Sequence, residues 1–392
     1  MKLSPIFDLT IPLWWRIGDP DCHKVQYNEK MNLEILSMKI AFTADCHLTT
    51  QSKNPDRFQA LANIFKQCDE NDVQLLVIAG DLFDQDLPNY AEFEDIYHSS
   101  RTEDLTSVII PGNHDQRLSQ GALLGESLLV YSEPTLQPLD DSRKILFLPY
   151  QDNKTMGELI APFADELQDQ RWILVSHGDW TAGRNTPDPY EKGLYLPLTH
   201  TDLETYQPEL VFLGHIHLAQ QDQNLYYPGS PCPLDISETG LRRFLILDTD
   251  RGEVTSHLVD SPLIFFAEQF IMLPSENGLD LLLKEIGHRI ETWNLPEGWE
   301  NKVRFQVDVT GSSGLDRQNI LKGIKKAFSG FSYYKDEEPH LAELIYNIDP
   351  DRIEISNQVK IWIDDLDWKA DPNSPSKMQI LDQALKIIHG GK

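Results

Sequence analysis

Leu210-Val211-Phe212-Leu213-Gly214-His215-Ile216-His217 joins an apolar run to two imidazoles set two residues apart. An apolar run this short, unbroken by polar residues, reads as a strand buried on both faces. In extended backbone, residues i and i+2 point to the same side. The stretch therefore predicts that His215 and His217 reach one point in space from the end of a buried strand. Two histidines do not complete a metal site, so the question passes to what the other strands carry.

The same arrangement recurs upstream. The run Met38–Ala44 ends in Asp45-Cys46-His47, and Leu75–Ala79 ends in Gly80-Asp81-Leu82-Phe83-Asp84. Val108–Ile110 leads to Gly112-Asn113-His114-Asp115, and Trp172–Val175 to Ser176-His177-Gly178-Asp179. These runs are apolar throughout rather than alternating, which favours strands covered on both faces by helices. Sites in α/β sheets form outside the carboxyl ends of the strands. Five neighbouring strand ends are thus expected to deliver Asp45, His47, Asp81, Asn113, His177, His215 and His217 to one crevice.

Two carboxylates, one amide oxygen and four imidazoles exceed what one ion needs and suit two ions sharing a bridging carboxylate. Nitrogen and oxygen donors without thiolate point to manganese, iron or zinc, with magnesium also open, rather than to calcium or a zinc–sulfur site. Two ions roughly 3.5–4 Å apart can bind a phosphoryl oxygen and generate a hydroxide. The glycines before Asp81, Asn113 and His215 are read as permitting tight turns and close approach of a substrate phosphate. Taken singly, each residue has a plainer reading: Asp81 as a turn or cap, His177 as a structural histidine, Asn113-His114-Asp115 as a turn. Five such blocks, each closing an apolar strand, favour the metal reading. Asp84 and Asp179 are assigned to supporting the ligands or loops rather than to ligation. Cys46 is assigned to packing.

The rest of the chain sets the frame. Of 392 residues, 40% are hydrophobic and 24% charged, an ordinary soluble composition with room for two domains. No apolar run approaches the ~20 residues that span a bilayer. Residues 1–37 do not read as a signal peptide, because Asp8 and Pro12 break the apolar piece; they are an N-terminal extension of unclear role. Cys22, Cys46, Cys68 and Cys232 show no CxxC spacing and read as reduced thiols of a cytoplasmic protein. The net charge of −28 argues against broad polyanion binding.

Asn54-Pro55 reads as a helix cap, with Phe58, Leu61, Ile64, Phe65 and Cys68 at helical spacing. With Ile145–Leu148, Phe244–Leu247 and Val254–Leu258 as further strands, residues 38–262 form a layered α/β domain. Residues 263–392 change texture. Leu281, Leu282, Ile286 and Ile290 suggest a helix, and Val303–Val309 alternates as a half-buried strand. Leu315–Phe328 reads as a helix, Ile353–Ile363 as a strand region and Lys377–Ile388 as a last helix, making a smaller α+β domain. Arg317, Lys322, Lys325 and Lys326 form either a phosphate-facing patch or a solvated helix face.

The ordered set Asp-x-His, Gly-Asp-x-x-Asp, Gly-Asn-His-Asp, His-Gly and Gly-His-x-His resembles the calcineurin-like metallophosphoesterase superfamily over about residues 38–262. Gly80–Asp84, Leu148-Pro149-Tyr150 and Tyr227-Pro228-Gly229-Ser230-Pro231 are similar to SbcD-type DNA repair exonucleases, the nuclease subunits that work with an SbcC-like ATPase. The resemblance implies an α/β/β/α sandwich with residues 263–392 as a capping domain. It implies one ion on Asp45, His47 and His217, the other on Asn113, His177 and His215, and Asp81 bridging. His114 would be the catalytic residue that protonates the leaving oxygen. It further implies DNA as substrate, ATPase docking through Ser374–Ile388, and a homodimer built on helices flanking the second and third strands, where Gln85–Glu103 is short and acidic.

The expectation is therefore a manganese-dependent DNA nuclease of end processing and repair. The rivals are a small-molecule or cyclic-nucleotide phosphodiesterase or phosphatase of the same superfamily, and an inactive phosphoesterase scaffold that binds partners.

Overall fold

The computed structural model describes residues 38–390 apart from 85–88, 101–103, 126, 141, 182–192, 276, 347–349 and 369–373. The N-terminal extension 1–37, with Cys22, lies outside the described residues, as do both ends of the segment Gln85–Glu103. Residues 38–392 form one compact unit.

Its strands are β1 (Lys39–Thr43), β2 (Leu75–Ala79), β3 (Thr106–Ile110), β4 (Leu128–Val130), β5 (Thr135–Pro138), β6 (Arg143–Leu148), β7 (Arg171–His177), β8 (Leu210–Gly214), β9 (Gln220–Asp222), β10 (Leu225–Tyr227), β11 (Arg243–Asp248), β12 (Glu253–Leu258), β13 (Ile264–Met272), β14 (Val303–Gly311) and β15 (Ser332–Tyr333). The α-helices are α1 (Pro55–Glu70), α2 (Tyr90–Ser100), α3 (Met156–Ile160), α4 (Ala164–Leu167), α5 (His200–Tyr206), α6 (Gly278–Thr292), α7 (Arg317–Ala327), α8 (Pro350–Asp365) and α9 (Lys377–Gly390).

Two six-stranded sheets, in the orders β12-β11-β1-β2-β3-β4 and β5-β6-β7-β8-β10-β9, make a layered α/β/β/α sandwich. The site-bearing strands are parallel within each sheet: β1, β2 and β3 in the first, β7 and β8 in the second. Between the sheets lies an apolar layer that includes Ile40, Phe42, Val77, Ile110, Phe147, Val175 and Phe212. Phe42 and Phe212 stack across it with centroids 3.7 Å apart, an aromatic pair worth about 0.5–1.5 kcal/mol beyond area burial. The outer face of the first sheet is covered by Phe58, Leu61 and Phe65 of α1 and Phe93 and Tyr97 of α2. The outer face of the second carries Met156, Leu159 and Ile160 of α3.

Three expectations change here. The continuous apolar strands are buried by helices on one face and by the facing sheet on the other, not by helices on both. Their composition is the same either way, because each face is dry. The five site-bearing strand ends therefore come from two sheets rather than from one row of neighbours. At Asn54 the proline opens α1 as expected, but the side chain makes no cap bond. Its Oδ1 instead accepts from the Thr49 hydroxyl at 2.6 Å.

A third, all-parallel sheet, β13-β14-β15, packs with α6 and α7 around its own apolar cluster. There Phe266 and Trp293 stack at 4.1 Å. The alternation read at Val303–Val309 is present as an in–out burial pattern along β14. Residues Ile353–Ile363 are not a strand region; they lie inside α8. Their isoleucines and valine fall on odd positions, which mimics a two-residue period. Burial instead follows Ser356, Val359 and Ile363, a helical stripe packed with Leu381 and Leu385 of α9, while Ile355 and Ile361 are exposed.

Candidate metal centre

Beyond Thr43 the chain leaves β1 and runs beside the loop that follows β2. Asp45 N–H donates to Gly80 O at 3.1 Å, and His47 N–H to Asp81 O at 2.9 Å. Asp45, His47, Asp81 and His215 all have positive φ, at 56°, 45°, 52° and 94°. Left-handed backbone is costly for such residues and gathers at functional sites. It also corrects the pleat argument. His215 and His217 lie past the end of β8, so a turn sets their directions, not the alternation of a strand.

The sheets are joined through these side chains. The Asp45 carboxylate accepts the His215 backbone N–H at 2.9 Å (Oδ1) and 3.2 Å (Oδ2). His177 places Nδ1 2.9 Å from Ala79 O, which leaves Nε2 turned inward, 2.9 Å from Asn113 Oδ1 and 3.3 Å from Asp81 Oδ2. His47 Nε2 is 3.1 Å from His217 Nε2 and 3.6 Å from the same Asp81 oxygen. Asp81 Oδ1 accepts the His114 N–H at 2.8 Å.

Gly80 and Gly214 leave room for the site's own atoms. A Cβ on Gly214 would sit 1.9 Å from Ala79 O and 2.6 Å from His177 Nδ1. On Gly80, at φ +89°, it would sit 2.0 Å from His177 Nδ1.

Among the described residues, three groups place possible ligand atoms within 4.8 Å of one another: Asp45, His47 and His217; His47, Asp81 and His114; Asp45, Asp81 and His177. Asp81 belongs to two of them and His215 to none. His215 Nε2 is 3.7 Å from Asp179 Oδ1, and its ring lies 5.5 Å from that of His177 and 4.7 Å from that of Tyr195. Asp179 Oδ2 accepts the Tyr195 N–H at 2.7 Å. The His114 ring stands edge-on to His47 at 4.7 Å, with Nδ1 3.9 Å from Asp84 Oδ1. His114 lines an open cleft of about 500 Å³ with Tyr90, Asn113 and Arg117.

The site's buried carboxylates and imidazoles shift one another. Burial raises Asp45 to about 6, against the lowering pull of His177 and His217. Burial alone would also raise Asp81, but His177 and His47 hold it well below the usual carboxylate range. Burial lowers His47 to about 3. His177 goes the other way, to about 9, because the Asp81 and Asp45 carboxylates overcome its burial. The neighbouring His114 imidazole leads in holding Asp84 at about 2. Buried oxygens and imidazole nitrogens converging without thiolate fit hard or borderline divalent ions. Cys46 is buried between two of these residues, and burial pushes its thiol up, which suits packing.

Residues 38–219 match the family model described as calcineurin-like phosphoesterase. That segment is a calcineurin-like phosphoesterase domain. Among curated proteins, the SbcD component of the SbcCD nuclease of Staphylococcus epidermidis is 22% identical over 254 residues, covering 55% of this chain and 67% of that protein. Among solved structures, TT1561 of Thermus thermophilus is 16% identical at TM-score 0.40, over 57% of this chain and 99% of that one. A dimetal phosphatase from Danio rerio is 12% identical at TM-score 0.36, with the same shares covered.

The structure adds roles that the sequence motifs did not assign. Glu238 and Arg242 are buried beside His217. Asp115 is buried with Oδ1 accepting from Gly112 N–H at 2.7 Å and Oδ2 from Phe83 N–H at 3.1 Å, bracing the two loops that carry Asp81 and Asn113. Arg57 of α1 donates to His47 O and reaches Asp84 at 3.5 Å. An acid and an arginine four residues apart, soon after Tyr227–Pro231, were the one available sequence signal for Glu238 and Arg242. The basic residues Arg317, Lys322, Lys325 and Lys326 all lie exposed on α7. Lys325 pairs with Glu338.

Proposed function

We propose that this chain is a cytoplasmic two-metal nuclease that hydrolyses DNA phosphodiesters in end processing and repair, with manganese as the working ion. The observation that carries the reading is the position of Asp81 Oδ2, 3.6 Å from His47 Nε2 and 3.3 Å from His177 Nε2, as a carboxylate shared by two ligand groups requires. Asp45, His47 and His217 would hold one ion. His177 and Asn113 would hold the other, with His215 moving in to complete it. The chemistry supplied by two bound divalent ions is Lewis-acid stabilisation of the phosphoryl oxygens and activation of the attacking water. His114, at the cleft, protonates the leaving alkoxide, with Asp84 orienting its ring.

DNA, rather than a small phosphodiester, is supported by the likeness to an SbcCD nuclease component and by the motifs shared with SbcD-type enzymes. Residues 263–392 cap the site, and Arg317, Lys322, Lys325 and Lys326 meet the DNA backbone. An SbcC-like ATPase docks through Ser374–Ile388, the segment that forms most of α9, where Ile387 is exposed. Among the described residues no helix is long and apolar enough to cross a membrane.

One observation favours a second reading, a phosphodiesterase for small molecules: the net charge of −28, which disfavours a polyanion. Turnover of linear duplex DNA against bis(p-nitrophenyl) phosphate and cyclic nucleotides, with manganese and with or without an ATPase partner, separates the two. DNA as the preferred substrate supports the nuclease. Turnover confined to small phosphodiesters overturns it.

A further inference from the structure

Glu238 lies in the loop between β10 and β11, outside every motif above, and is 4% exposed. Its Oε1 accepts from His217 Nδ1 at 2.7 Å. Its Oε2 accepts from the Ser230 hydroxyl at 3.0 Å, Leu234 N–H at 3.1 Å and Arg242 Nη2 at 3.2 Å. Arg242, also 4% exposed, donates in turn to the carbonyls of Ser230 (2.9 Å) and His217 (2.6 Å). Ser230 N–H closes the set on His217 O at 3.0 Å.

We propose that Glu238 is a positioning residue that fixes the ring direction and tautomer of His217 for the ion shared with Asp45 and His47. The inference rests on the two-ion reading above. An ionised carboxylate only accepts hydrogen bonds, so Nδ1 of His217 carries the proton, and in the neutral ring Nε2 keeps its lone pair. That nitrogen is the one aimed at His47 Nε2, 3.1 Å away. Arg242 pairs with Glu238 and clamps the His217 carbonyl, so the backbone and the ring are held together. A carboxylate behind a ligating imidazole fixes its tautomer, and losing such a partner costs about 10–100-fold in metal affinity.

The test is Glu238→Gln in the full chain, with two-site manganese titration by calorimetry. The amide presents a donor where three donors already converge, so its orientation conflicts with His217 or with Arg242. One ion should bind about 10–100-fold more weakly while the other keeps its wild-type affinity. Nitrogen-15 histidine spectra of the zinc-loaded wild-type protein should show His217 protonated at Nδ1. Equal weakening of both ions, weakening of neither, or protonation of His217 at Nε2 overturns the proposal. Wild-type protein that takes up no ion overturns the two-ion reading instead; the His217 tautomer, read on metal-free protein at alkaline pH, then still decides the role of Glu238. Where Glu238→Gln does not fold, the wild-type tautomer carries the test.

Discussion

Asp81, from the loop after β2, brings Oδ2 within 3.3 Å of Nε2 of His177 at the end of β7. The two residues belong to different sheets, so the contact spans the seam of the sandwich. Bringing them together needs both sheets packed in register, and the Phe42–Phe212 stack lies in that interface. Asp81→Ala should therefore reduce bound manganese from two ions to one or none, as measured by elemental analysis. Circular dichroism should remain that of a folded protein.

His114 lines the cleft and belongs to the one possible ligand group among the described residues, with His47 and Asp81, that the two-ion assignment does not use. His114→Ala should lower turnover of DNA by about 10²–10⁴-fold, the usual worth of a general acid. Manganese content should be unchanged. A substrate with a p-nitrophenolate leaving group should lose much less, because that group departs without a proton. Equal losses on both substrates would remove His114 from the acid role.

The raised His177 sets a pH dependence. Metal-free protein carries its imidazolium at pH 7, since the folded value is about 9 and the ordinary value 6.5. An ion needs the neutral ring, so loading at pH 7–8 should release a proton, and affinity should climb as pH rises toward 9. Without metal the sign reverses for stability. The charged ring stabilises the fold fully below pH 6.5, and that contribution is lost as pH rises through about 9. Calorimetry in buffers of different ionisation enthalpy counts the released proton, and metal-free melting curves test the stability.

Gly214 has no room for a side chain. Gly214→Ala should cost about 1–3 kcal/mol or more, through overpacking against Ala79 O and His177. Gly287, in α6, is the contrast, because a Cβ there would meet nothing within 4 Å. Gly287→Ala should leave the melting temperature unchanged or raise it, worth about 0.4–1 kcal/mol. Thermal melts of both variants decide the pair.

The strand ends were legible because buried parallel strands are apolar on both faces, so the polar residue that closes each run stands out. Asp45, Asp81, Asn113, His177 and His215 were all found that way. What stayed hidden was which strands share a sheet, since an apolar run reads the same under a helix as under a facing sheet. The pairing of His215 with His217 was read for the wrong reason. Their i, i+2 spacing matters through the turn at φ 94°, not through a pleat. In α8, odd-numbered isoleucines imitated a strand, and only the partner helix α9 shows that Ser356, Val359 and Ile363 face inward. Glu238 was illegible for a different reason: it reaches His217 from 21 residues away, through a loop whose path the sequence does not reveal.

The most direct measurement is nucleotide release from an end-labelled linear DNA duplex by the purified protein in manganese, wild type beside Asp81→Ala. The expected result is release by the wild type that needs manganese and is lost in the variant. No release by wild-type protein carrying two manganese ions, alone and with an ATPase partner, would overturn the nuclease reading.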